Sequence, residues 1–390
     1  MYDFDKIIER SGTNAYKLDL REKYFGTDDL LPLWVADMDF AAPPEIQESI
    51  MARARHEVYG YTIRKEEFTG AIVDWCAYKH QWTIKDEWIE YSPGVVPALA
   101  FSVLAFSNPG DGVIINTPVY PPFYSVIGGN KRKVLKNGLL NKDGRYEIDF
   151  YLLEEQAKLE TTKIYMLCSP HNPVGRVWTK EELLKIHAIC SKYNVLVLAD
   201  EIHSDLALFN HKHIPFASVS EEAAQNSISF MAPSKTFNIA GFSTSYVVTA
   251  NKDLLEAYRQ MQNNLQLHMG HLFSGVALTS AYNKGRSWLN ELTSYLENNI
   301  LFIENYLKDK LPELEFFRPE ATYLIWINFK NWKMNQKQLK EFLAFNAKVG
   351  LNDGLSFGSE GRGYMRMNVA SPKITIEKAL NQIAEAYNKL

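Results

Sequence analysis

Four apolar, β-rich runs in the middle of this 390-residue sequence each end in a short polar segment, and each segment carries a different kind of functional side chain. Run 113–116 is followed by Thr117-Pro118-Val119-Tyr120-Pro121-Pro122, and run 163–167 by Ser169-Pro170-His171-Asn172-Pro173-Val174-Gly175. Run 195–198 leads to Asp200-Glu201-Ile202-His203, and run 227–230 to Ala232-Pro233-Ser234-Lys235-Thr236. In an open α/β sheet the carboxyl ends of the strands border the ligand crevice, so these segments are expected to meet there. A lysine amine in such a crevice can serve as nucleophile and as base. Singly, each residue also has an ordinary structural explanation: Asn-Pro marks a turn, an acid at a strand end often caps a helix, and Lys235 could be a surface lysine. It is the joint occurrence of a lysine, an acid, an amide and an aromatic, each at its own strand end, that points to a site.

The elements that must position these residues follow from the hydrophobic pattern. Runs at 113–116, 163–167, 195–198, 227–230 and 245–249 alternate with amphipathic stretches, the pattern of an α/β sheet. Segment 179–193 carries Leu183, Ile186 and Cys190 at helical spacing, with Thr179 as N-cap and Glu182 three residues on, which predicts a crossover helix. The apolar stretch 97–106 is far shorter than the ~20 residues that span a bilayer and reads as a buried helix. The last hundred residues change character, with a long helix over 286–311, a strand at 323–329 and a closing helix from Thr375. Two lobes are expected for a chain of this length. The large one is placed at 48–285, and a smaller α+β lobe combines 1–47 with 286–390.

Composition narrows the function classes. With 46% hydrophobic and 23% charged residues, the chain has ample apolar material for a large buried sheet. A formal net charge of −4 without long runs of one sign gives no reason to expect nucleic acid or an anionic membrane as partner. The start, MYDFDKIIER, carries no export signal, and a cytoplasmic location is expected. Cys76, Cys168 and Cys190 are odd in number and widely spaced, which argues against a disulfide framework and a zinc site. His171, His203, His211 and His213 form no recognisable ligand set, so no metal is expected.

Over nearly its whole length the sequence resembles fold-type I pyridoxal-phosphate (PLP) enzymes of the class I/II aminotransferase superfamily. Within them it is similar to the cystathionine β-lyase branch, the MalY/PatB-type carbon–sulfur lyases. The residues that carry the resemblance are Trp34-Val35-Ala36-Asp37-Met38-Asp39-Phe40, Tyr59-Gly60-Tyr61, Gly94-Val95-Val96-Pro97, Asn172-Pro173-Val174-Gly175, Asp200-Glu201-Ile202-His203-Ser204-Asp205 and Ser234-Lys235-Thr236-Phe237-Asn238. The resemblance implies a large, mostly parallel-sheet α/β domain, a smaller α+β domain, and PLP joined to Lys235. Asp200 then faces the ring nitrogen and keeps it protonated, because a nearby negative charge favours the cationic form. Asn172 binds the ring oxygen, and Tyr120 lies against the ring face or merely packs the core. The turn at Val95 and Val96 opens a helix whose free N–H groups suit a phosphate. Tyr61 matches a tyrosine that reaches the phosphate from a neighbouring subunit, which implies a homodimer. Arg366 aligns with the arginine that forks onto the substrate α-carboxylate, and Ala36 with the backbone that closes over it.

Two departures stand out. Many relatives carry a serine three residues before the lysine and an arginine eight after it, both serving the phosphate, where this chain has Ala232 and Ser243. The phosphate must then rely on the helix start, Ser234 and Tyr61, or on a further group. His203 stands where a tyrosine is usual, and either hydrogen-bonds the ring oxygen or fills space. The expected reaction is β-elimination from cystathionine or another S-substituted cysteine, with transamination as the alternative. A third reading, a binding protein that keeps the fold without chemistry, is opposed by the joint presence of Lys235, Asp200, Asn172 and Arg366.

Overall fold

In the computed structural model, which describes residues 2–390, seven strands form one central sheet. Numbered along the chain within this sheet, they are β1 (Ile89–Ser92), β2 (Gly112–Thr117), β3 (Lys133–Gly138), β4 (Thr162–Cys168), β5 (Leu196–Asp200), β6 (Ser227–Met231) and β7 (Ser245–Val248). Their spatial order is β1-β7-β6-β5-β4-β2-β3. The pairs from β3 through β2, β4 and β5 to β6 are parallel, whereas β7 runs antiparallel to both β6 and β1. The carboxyl ends of β2, β4, β5 and β6 therefore face the same edge, as the sequence pattern requires.

Strand β5 shows why these runs are apolar throughout rather than alternating. Leu196 and Leu198 enter one core cluster and Val197 and Ala199 another, so both faces of the strand are covered. One face is covered by the helix Val95–Phe106, which buries Val95, Ala98, Leu99, Phe101 and Val103. On the other lies Lys180–Lys192, burying Leu183, Ile186 and Cys190. Thr179 caps it as expected: its hydroxyl accepts from Glu182 N at 3.2 Å, and the Glu182 carboxylate accepts from Thr179 N at 2.8 Å.

The structure adds strands that the hydrophobic pattern did not reveal. β1 and β3 are the two edges of the sheet. Edge strands face solvent along one side and tolerate charge there, which is why Glu90, Lys133 and Lys136 hide them from a search for apolar runs.

A second, antiparallel sheet is built from Glu315–Phe316, Leu324–Asn328, Tyr364–Asn368 and Asn352–Asp353, in that spatial order. The helices Arg286–Lys310 and Lys373–Tyr387 accompany it, the latter starting two residues before the expected Thr375. The amino-terminal segment joins this region: Leu31–Pro32 pairs in parallel with Val349–Gly350, and Asn368 N donates to Leu33 O at 2.9 Å. The expected lobe boundary at residue 47 falls inside the helix Pro44–Ala54, which packs on Leu272–Lys284 through contacts such as Ser280 Oγ to Glu45 O at 3.0 Å. Among the described residues, no helix is long and apolar enough to cross a membrane.

Candidate active site

The four polar segments converge on one cavity of about 220 Å³ at the carboxyl edge of the central sheet. Asp200 is the last residue of β5 and lies level with Cys168, the last of β4. Lys235 follows β6 by four residues on the short helix Pro233–Thr236, while Asn172 and Tyr120 stand in the turns after β4 and β2. All four line the cavity, together with Ala36, Val95, Val96, His203 and Ser234. Ala232, Ser243 and Thr244 complete the wall near the start of the Val95–Phe106 helix.

Burial sets the protonation states. It pushes the Asp200 carboxyl up to about 7, against the pull of the Lys235 charge, and among the described residues Ile202 N is its only hydrogen-bond donor, at 3.2 Å. The same desolvation brings the Lys235 amine down to about 8 and holds His203 neutral, at about 3. An amine that deprotonates this close to neutrality is both nucleophile and base. Arg366 is lowered by burial to about 10 and remains a cation.

Lys235 Nζ donates to Ala36 O at 2.6 Å, and Tyr323 Oη donates to the same oxygen at 2.9 Å. Arg366 lies outside the immediate cavity wall but is tied to it: Nη1 donates to Asn172 Oδ1 at 3.0 Å, and Nη2 to Trp34 O at 3.0 Å and Asn352 Oδ1 at 2.5 Å. Its Nε is buried without a partner, leaving one donor of the fork free for an anion. Tyr120 N in turn donates to Asn172 O at 3.1 Å, which fixes the aromatic relative to the amide.

Tyr61 is also absent from the residues that line this cavity and, unlike Arg366, makes no hydrogen bond among the described residues to one that does. It is 97% exposed on an extended segment whose Val58, Tyr59 and Ile63 are exposed as well.

Other functional residues escaped the sequence reading. Tyr323 stands just before the strand Leu324–Asn328 and Asn368 is the last residue of Tyr364–Asn368; Asn368 Nδ2 donates to Val35 O at 2.7 Å and Asp37 O at 2.6 Å. Asn238, within the lysine motif but without an assigned role, receives Met38 N at 2.9 Å and donates to Phe40 O at 2.8 Å. Behind the lysine helix, buried Asp205 accepts from Thr236 Oγ1 at 2.7 Å, His80 Nε2 at 2.9 Å and Trp75 Nε1 at 3.0 Å. Only its place in the Asp200–Asp205 motif signalled Asp205; Tyr323 and Asn368 had no signal at all.

A largely parallel seven-stranded sheet with a smaller α+β region, closing on a lysine, an acid, an amide and an arginine, defines the fold-type I class of PLP-dependent enzymes. The chain belongs to the family "Aminotransferase class I and II", whose model matches residues 28–383. It is 41% identical over 386 residues to "Cystathionine beta-lyase PatB" of Bacillus subtilis, covering 99% of this chain and 100% of the relative. Among solved structures, a PLP-bound chain from Clostridium difficile, named for aminotransferase activity, superposes with a TM-score of 0.98 at 43% identity, covering 100% of both chains. Cystalysin of Treponema denticola, which contains pyridoxal 5'-phosphate, gives a TM-score of 0.96 at 38% identity over 100% of this chain and 99% of that one.

Proposed function

We propose that this chain is a PLP-dependent carbon–sulfur β-lyase that converts cystathionine or related S-substituted L-cysteines into pyruvate, ammonia and a thiol. The observation that carries the reading is the single cavity holding Lys235 beside Asp200, each brought close to neutral pH by burial. The residues fit the cofactor: His203 Nδ1 and Thr244 Oγ1 on the cavity wall are buried polar atoms without partners, as is Arg366 Nε next to it.

Bound PLP supplies the electron sink for the negative charge that forms when the substrate Cα loses its proton. Asp200 would hold a proton on the ring nitrogen, and a cation there returns the acid to its carboxylate form. Asn172 and His203 would bind the ring oxygen, with Tyr120 against the ring face. The free amides of Val95 and Val96, Ser234 and Tyr61 of the partner subunit would take the phosphate. Arg366 offers its free Nε, and the Ala36 backbone its closing edge, to the substrate α-carboxylate. Lys235, returned to the free amine, removes the Cα proton and holds it while the thiolate departs from Cβ.

The relatives named for cystathionine β-lyase activity support this choice, and the neighbour named for aminotransferase activity keeps transamination as the second reading. Both use the same proton abstraction, so an assay decides. Incubation with L-cystathionine and no keto acid should release pyruvate and free thiol together; a strict keto-acid requirement would establish the aminotransferase instead. The reading also includes a homodimer, a cytoplasmic location, and the division into a large lobe (48–285) and a small lobe (1–47 with 286–390).

A further inference from the structure

We propose that Tyr323 is a positioning residue for Lys235, its hydroxyl holding the Ala36 carbonyl whenever the lysine nitrogen is joined to the cofactor; this rests on the PLP reading above. The starting point is the segment that closes the cavity. From Trp34 to Met38 every carbonyl oxygen is bonded by a distant side chain: Trp34 by Arg366, Val35 and Asp37 by Asn368, Ala36 by Lys235 and Tyr323, and Met38 by Arg10 and Asn238. No strand ladder runs through these residues, so a carbonyl that loses its donor finds no backbone substitute.

Ala36 O differs from the other carbonyls bonded in this way because one of its donors must do covalent chemistry. When Lys235 condenses with the cofactor aldehyde, the amine gives up its two hydrogens, a carbon–nitrogen double bond forms and water leaves. When a substrate amine displaces the lysine, one such double bond is exchanged for another and two hydrogens pass from the incoming amine to Lys235, with no change in oxidation state. The linked nitrogen has lost the hydrogens of the free amine, whose bond to Ala36 O spans 2.6 Å. Ala36 O thus has two donors in the free-lysine state and only Tyr323 in the linked state.

Tyr323 is built for that constant role. It is fully buried, which drives its phenol upward so that it stays a donor, and its backbone oxygen accepts from Val369 N at 2.8 Å. The preceding Thr322 holds a left-handed φ of +74°, and Tyr323 stands immediately before the strand Leu324–Asn328 of the second sheet.

Tyr323→Phe therefore leaves the free-lysine state satisfied and the linked state with an unpaired carbonyl. The test is a hydroxylamine titration of holoenzyme, in which hydroxylamine competes with Lys235 for the cofactor carbon while the visible absorption of lysine-linked PLP is followed. The variant should be half-released at on the order of tenfold less hydroxylamine than the parent. Thermal unfolding of the cofactor-free proteins is the second readout, and there the two should have the same midpoint within a few degrees. Equal hydroxylamine sensitivity overturns the proposal. So does a variant destabilised without cofactor as strongly as with it, since that is the mark of a purely structural hydroxyl. A parent enzyme with no visible lysine-linked absorption overturns the PLP reading, and this inference with it.

Discussion

Asp200 and Lys235 share a cavity in which neither charge is cheap, and the consequence is measurable without cofactor. Burial raises Asp200 from 3.8 to about 7, so between those values the folded chain keeps a proton that the unfolded chain has released. Its contribution to stability is present below the unfolded value and is lost as pH rises towards the folded one. In cofactor-free protein, Asp200→Asn removes that loss, so the variant should gain on the parent by about 2 kcal/mol between about pH 5 and about pH 7. Denaturant titrations at the two pH values check this, and a pH-independent difference would place Asp200 in a more solvated setting. Lys235, Asp200, Asn172 and Tyr120 are legible in the sequence because each stands where an apolar run stops, a boundary that patterning alone reveals. Tyr323 is not, because it reaches Ala36 from 287 residues away and looks in sequence like any other aromatic opening a strand.

At the level of elements, the four-residue helix Pro233–Thr236 is too short to hold Lys235 in place by its own hydrogen bonds. Asp205 supplies the anchor, binding Thr236 from behind while His80 and Trp75 satisfy the rest of its carboxylate. Burial opposes that charge, yet the His80 bond and the neighbouring donors hold the acid below its ordinary value. Asp205→Ala strands three buried donors and should lower stability by about 3 kcal/mol, read as a fall in the urea midpoint at unchanged slope. A loss below about 1 kcal/mol would mean that the helix is held by packing instead. The crossover helix Lys180–Lys192 was readable from spacing and cap alone, whereas the edge strands β1 and β3 were masked by the charges that their exposed edges carry.

At the scale of the whole molecule, the exposed segment around Tyr61 and the phosphate end of the cavity belong together only if two copies exchange this segment. Each site would then need Lys235 from one subunit and Tyr61 from the other. Mixing Lys235→Ala with Tyr61→Ala chains under conditions of subunit exchange should restore up to about a quarter of parental activity, since half of the random dimers carry one intact site. No recovery, with exchange shown by mass, would confine each site to one chain. Composition and pattern do not decide whether two copies share the site, because an exposed tyrosine in an extended segment looks the same whether it meets solvent or a partner.

The chemistry proposed for this site depends on the nitrogen of Lys235 being the atom that holds the cofactor. Reducing the holoenzyme with borohydride and mapping its peptides by mass measures this directly. The added pyridoxyl phosphate should fall on Lys235 alone, and a label on another lysine, or on none, would contradict the account.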